Sequence, residues 1–108
     1  CTFSRNVEKV SKKYPLNPSG YFGEKGKNHR VIVSDNPIET SEDFYKTISC
    51  GGKESQLSNG KGVQTVFEDG TRIVYRVITS TPDSPAVDIT VNIESPVKKQ
   101  KIHFIRKD

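Results

Sequence analysis

The sequence predicts an α+β domain, and three observations carry that prediction. Valine and isoleucine together number twenty against two leucines, a bias toward strands. From Val63 onward the chain reads as a four-strand meander: Val63–Glu68, Thr71–Thr79, Ala86–Ile93 and Lys101–Ile105. Before Gly51-Gly52, two stretches carry helical spacing instead, the second of them with helix-start residues.

Taken in order, Arg5–Lys13 forms a short helix with Val7 and Val10 on one face. Pro15 and Pro18 break it and open a loop through Asn17, Ser19 and Gly20. A polar, glycine-punctuated run follows Tyr21-Phe22-Gly23, and Val31–Val33 is a short strand. Asn36-Pro37 reads as a turn. Thr40 is the expected N-cap of a second helix, with Asp43 at its third position and Phe44 and Ile48 sharing a face. That helix stops at Gly51-Gly52, and Lys53–Gly62 reads as a polar loop.

Asp69-Gly70 predicts a two-residue hairpin, because a type I′ turn needs positive φ at both centres. In that register Val63 faces Arg76, and Thr65, Arg72 and Arg76 share a side opposite Ile73, Tyr75 and Val77. A one-residue slip would change the set. The third strand alternates Val87, Ile89, Val91 and Ile93 against Asp88, Thr90 and Asn92. The fourth alternates Ile102 and Phe104 against Lys101 and His103.

At 108 residues the chain is one domain, and its 31% apolar content predicts a small core. Valine, isoleucine, leucine and phenylalanine (11, 9, 2 and 5) still lift it above the disorder-prone range. The net charge of +4 is uneven: residues 1–30 carry seven basic and two acidic groups, residues 31–60 two and five. Clusters at Lys9/Lys12/Lys13, Lys25/Lys27/Arg30 and Lys98/Lys99/Lys101 suit a polyanion such as RNA, or serve solubility alone. Cys1 and Cys50 are too few for a disulfide scaffold or a zinc site, and whether they are bridged stays open. No stretch is apolar enough to span a membrane. A chain with no methionine that opens on Cys1 reads as a piece of something longer.

The candidate chemistry lies on the sheet. His103, between inward Ile102 and Phe104, points to the polar face, where an imidazole can serve as acid or base; a solvated strand histidine is the plain alternative. Arg76 presents a planar fork suited to phosphate, or pairs with Asp88. Asp88 orients His103 or Arg76, acts as a base, or caps a turn, and Thr90 is a weaker candidate beside it. His29 lies in the polar loop between Lys27 and Arg30, where a solvated loop histidine is the plain alternative. His29, His103 and Arg76 together can fill the roles of metal-free RNA cleavage. A base takes the ribose 2′-hydroxyl proton, an acid protonates the leaving 5′-oxygen, and a cation stabilises the phosphorane. Lys27 can replace His29 in charge stabilisation. Lys25, Lys27, Arg30, Arg72, Lys98, Lys99 and Lys101 are the expected RNA-binding residues.

Other chemistries find less support. Gly23–Lys27 lacks the glycine spacing and the Lys-Ser/Thr ending of a nucleotide-binding loop. No HExxH or Cys/His cluster is present, and Pro82-Asp83 is not followed by the acidic-x-Lys strand of a restriction-type nuclease. No serine has a glycine-framed elbow. A module that grips RNA or protein without cutting remains the alternative.

Six segments carry a family resemblance: Gly20-Tyr-Phe-Gly-Glu-Lys-Gly-Lys-Asn-His-Arg30; Ser41-Glu-Asp-Phe-Tyr-Lys46 with Gly51-Gly52; Asn59-Gly-Lys-Gly-Val63; Asp69-Gly-Thr71; Ser84-Pro-Ala-Val-Asp-Ile89; and Gln100-Lys-Ile-His-Phe104. From Ser19 to Phe104 the chain resembles the C-terminal toxin domains of contact-dependent growth inhibition proteins, the CdiA-type filamentous haemagglutinins, and most of all their tRNA-cleaving group. The resemblance implies a barnase/EndoU/colicin/RelE-like fold, with N-terminal helices packed on a twisted antiparallel sheet. It implies a metal-independent tRNase that needs no cofactor of its own. Such a domain is carried at the cell surface by a large exoprotein, is delivered into a neighbour's cytoplasm, and is blocked in the producer by a cognate immunity protein. Some members of that group need elongation factor Tu with GTP.

Overall fold

Two helices lie on one face of a seven-stranded sheet in the computed structural model, which describes residues 1–108. Helix α1 spans Phe3–Ser11 and α2 spans Pro37–Ile48. The strands are β1 (Glu24–Lys25), β2 (Arg30–Ser34), β3 (Lys53–Gln56), β4 (Gly62–Val66), β5 (Arg72–Arg76), β6 (Ala86–Thr90) and β7 (Gln100–Arg106). Their order is β1-β2-β7-β6-β5-β4-β3, and every pair is antiparallel except β2 with β7. The class is α+β, and the expected meander is its right-hand part, β4 to β7. No helix is long and apolar enough to cross a membrane.

Several boundaries differ from expectation, each for a local reason. Helix α1 starts at Phe3 because the Thr2 side chain caps it, accepting from Arg5 N at 3.2 Å. Asn36-Pro37 is no free turn. Asn36 is the N-cap of α2, its Oδ1 accepting from Glu39 N at 3.2 Å, and Pro37 takes the first turn, where its missing N–H costs nothing. Thr40 therefore lies inside the helix and bonds Ser34 Oγ at 2.6 Å, while Asp43 accepts from Tyr14 Oη at 2.9 Å. The expected loop Lys53–Gly62 contains an all-exposed edge strand, β3, whose polar side chains hide it from any search for alternating apolar residues. The second and third meander strands stop early, at Arg76 and Thr90. Beyond Thr90, Asn92 Nδ2 turns aside to donate to the Asp69 carbonyl at 2.6 Å.

The hairpin register is the consequential correction. Phe67 N donates to Thr71 O at 2.9 Å and Asp69 Oδ1 accepts from Thr71 N at 2.7 Å, so the loop holds three residues, with Gly70 at φ +92°. Thr65 then pairs with Ile73 rather than Val74, and Gly62 rather than Val63 faces Arg76. Thr65 moves to the helix side, where Tyr45 Oη meets its Oγ1 at 2.6 Å.

The core sits between the helices and the inner sheet face. Phe44 of α2 is its hub, with ring centroids 5.1 Å from Phe22, 5.5 Å from Tyr14 and 5.6 Å from Phe104. Phe3, Val7 and Val10 of α1 and Val87, Ile89 and Ile102 of the sheet close around it. Cys1 and Cys50 are bridged, which ties the start of the chain to the end of α2. Asn6 reinforces the joint, its Nδ2 donating to the carbonyls of Ile48 at 2.9 Å and Cys50 at 2.7 Å.

Candidate active site and basic cleft

Because both helices cover the inner face, the outer face of the central strands is the more accessible one, with His103, Asp88 and Arg76 half-buried on it, Lys101 exposed and Ala86 covered. Residues directly opposite in a sheet share a face. One row therefore runs Val31, His103, Ala86, Arg76, Gly62 from β2 to β4, and the next contains Lys101, Asp88, Val74 and Gln64. His103, Asp88, Arg76 and Lys101 share that face, as their alternation predicts. His103 and Arg76 stand two strands apart, ~10 Å at the backbone. Between them lies the small side chain of Ala86, and on the far side of Arg76 lies Gly62.

His29 reaches the same place by another route. The β1–β2 hairpin turns through Gly26–His29, closed by Gly26 N donating to His29 O at 2.8 Å. The His29 ring folds back over that glycine: a Cβ added to Gly26 would lie 2.9 Å from His29 Nε2. Parallel pairing of β2 on β7 then brings the imidazoles of His29 and His103 edge to face, centroids 4.8 Å apart.

His103 Nδ1 lies 2.9 Å from Ser84 Oγ, which leaves Nε2 as the ring nitrogen free for a substrate. Ser84 is buried and tightly held. Its carbonyl accepts from Thr79 Oγ1 at 2.7 Å, and the preceding Asp83, at φ 57°, is clamped by Arg106 Nε at 2.6 Å. Burial is the main cause that pushes the His103 pKa below its ordinary value. The charge of His29 adds to it, a backbone hydrogen bond with Ser84 opposes it, and Lys101 and Arg76 add smaller contributions. Asp88 does not reach toward His103 for a partner. Its Oδ2 accepts from Arg76 Nη2 at 3.0 Å, so it positions the guanidinium.

The basic residues divide. Lys25, Lys27, Arg30, Lys99 and Lys101 line one cleft of about 460 Å³ beside His29. No carboxylate lines it, and none of the chain's ion pairs involves these residues. Arg30 is partly structural, donating to the carbonyls of Phe22 at 3.0 Å and Gly23 at 2.8 Å. Lys98 is exposed outside the cleft, and Arg72 lies farther along the open face with its Nε on Gln64 Oε1 at 2.7 Å. Ser84 and Ala86 lie in the resembling segment Ser84–Ile89, but no sequence signal assigned either a chemical role. Ser84 lies just before a strand start, and only the partner strand reveals what it touches.

No protein-family model, curated protein or solved structure matches this chain.

Proposed function

We propose that this chain is an antibacterial toxin domain that cuts tRNA through 2′-hydroxyl attack, using its own side chains and no metal. The observation that carries the reading is the row in which paired His29 and His103 stand across buried Ala86 from half-buried Arg76, beside an acid-free cationic cleft. A phosphate bound between His103 and Arg76, with His29 at its edge, meets both imidazole and guanidinium. One imidazole takes the 2′-hydroxyl proton and the other protonates the leaving 5′-oxygen. Arg76, held by Asp88, stabilises the charge that develops on phosphorus-bound oxygen. The products are a 2′,3′-cyclic phosphate and a 5′-hydroxyl.

The choice of tRNA, the barnase/EndoU/colicin/RelE-like fold, delivery from a cell-surface exoprotein into a neighbour's cytoplasm, a cognate immunity protein and a role for elongation factor Tu with GTP all rest on the resemblance. The two helices stacked on one face of a mostly antiparallel sheet are in keeping with it.

Incubation with total tRNA in EDTA, with and without elongation factor Tu and GTP, tests the proposal. Discrete fragments ending in cyclic phosphate are expected. Intact tRNA under every condition overturns the nuclease reading and favours a module that only grips RNA. Cleavage only after divalent metal is added overturns the metal-free mechanism.

A further inference from the structure

Tyr21 is the one apolar ring in a cleft otherwise lined by polar and cationic groups. Its backbone is pinned on both sides. Tyr21 N donates to Asn17 Oδ1 at 2.9 Å, Asn17 N donates to Tyr21 O at 2.8 Å, and the next residue, Phe22, is fully buried. The Arg30 guanidinium lies 5.0 Å from the ring centroid and is itself fixed by two backbone carbonyls. The Asn17 and Asn28 side chains edge the same space. Cations alone would make a phosphate site. A fixed aromatic–guanidinium stack among them adds a flat platform of the kind on which a nucleobase stacks. The cleft volume falls within the ~300–1,000 Å³ of small-ligand sites, so it suits a nucleotide rather than a bare phosphate.

We infer that this cleft is a nucleotide subsite for one unpaired residue of RNA next to the bond that is cut. The base lies against Tyr21 and Arg30, and the flanking phosphates lie on Lys25, Lys27, Lys99 and Lys101. The inference rests on the RNA-cleaving reading above and narrows its substrate to single-stranded RNA, or to the loops and ends of folded RNA. In an A-form duplex each base face is already covered by its neighbours, so a duplex can offer the cleft only phosphates.

The test uses the whole chain and a short 2′-O-methyl RNA, which cannot undergo 2′-hydroxyl attack. Anisotropy binding is compared for this oligomer as a single strand, as a blunt duplex and as a single strand with abasic sites, over a range of salt. The intact single strand is expected to bind at least 10-fold tighter than the other two, within the roughly 5- to 150-fold that stacking of one base contributes. Tyr21→Ala removes that margin and keeps the salt slope, and Tyr21→Phe retains both. Lys25→Ala weakens all three oligomers and lowers the slope by about one phosphate's share. If Tyr21→Ala fails to fold, the abasic comparison on the wild-type chain decides by itself. Equal affinity for all three oligomers overturns the subsite and leaves the cleavage reading standing. No binding to any of them, together with intact tRNA in the cleavage assay, overturns both.

Discussion

Below its ordinary pKa of 6.5, the His103 imidazole of the unfolded chain takes up a proton that the folded protein resists. The unfolded state then binds more protons, so folding stability falls as pH drops from about 6.5 toward the lower folded value, and is unaffected by this group above 6.5. Urea unfolding at pH 7.5 and pH 5 should show a larger loss for the wild type than for His103→Gln; equal losses would refute the shift. At neutral pH the half-buried ring makes one hydrogen bond to Ser84 and an edge contact with His29 and is no part of the hydrophobic core, so its removal should spare the fold. His103→Ala is expected to lose ~10²–10⁴-fold in tRNA cleavage rate with an unchanged circular dichroism spectrum. Arg76→Ala should lose ~10²–10³-fold, as expected for removal of one group that stabilises developing charge. Activity in either variant at the wild-type level would remove that residue from the mechanism.

Helix α2 is seated through Phe44, whose ring meets aromatics from the loop before β1, from β7 and from the segment just after α1. Phe44→Ala leaves a cavity at that hub, with an expected cost of ~3–5 kcal/mol in denaturant unfolding. A loss below 1 kcal/mol would mean the helix is held mainly by its hydroxyl bonds to Tyr75 and Thr65. The β1–β2 hairpin offers a different test, because its glycine clears space for a catalytic candidate. Gly26→Ala puts a methyl against His29 Nε2 and its carbonyl oxygen, so the ring must move. Cleavage should fall about as far as it does in His29→Ala, while the melting temperature stays near that of the wild type. Full activity in Gly26→Ala would show that His29 needs no fixed position.

The whole molecule separates its joint from its chemistry. The Cys1–Cys50 bridge closes a loop of 49 residues at the end of α2, on the helix side, whereas His103 and the cleft lie on the open face. Reduction should cost at most about 4 kcal/mol by chain entropy, yet leave tRNA cleavage intact at temperatures where the reduced chain is folded. Charge is divided as well: the cleft is cationic and acid-free, while α2 carries Glu39, Glu42 and Asp43. A proposed immunity protein that covers the active face should therefore be acidic at its contact and associate more slowly as salt rises. Stopped-flow association across salt concentrations would check this. A salt-independent inhibitor seated on α2 that leaves His103 open would refute direct block.

The outward face of His103, Asp88, Arg76 and Lys101 was readable from the chain because alternation is a local property of every strand. The class α+β and the burial of Phe44 and Ile48 were readable for the same kind of reason. Register was not. Asp69-Gly70 locates the hairpin, but Asp69 and Asn92 hold a three-residue loop, and that single added residue carries Thr65 into the core. The Arg76–Asp88 pair was one of the readings the sequence offered, but no local pattern could choose Arg76 over His103 as the partner of Asp88, or reveal that Ser84 abuts His103 or that β3 completes the sheet edge with four polar residues. The meeting of His29 with His103 depends on a parallel pairing between strands from opposite ends of the chain. Such pairings are chosen by the packing of the whole sheet beneath its helices, so the site exists only once the fold has closed.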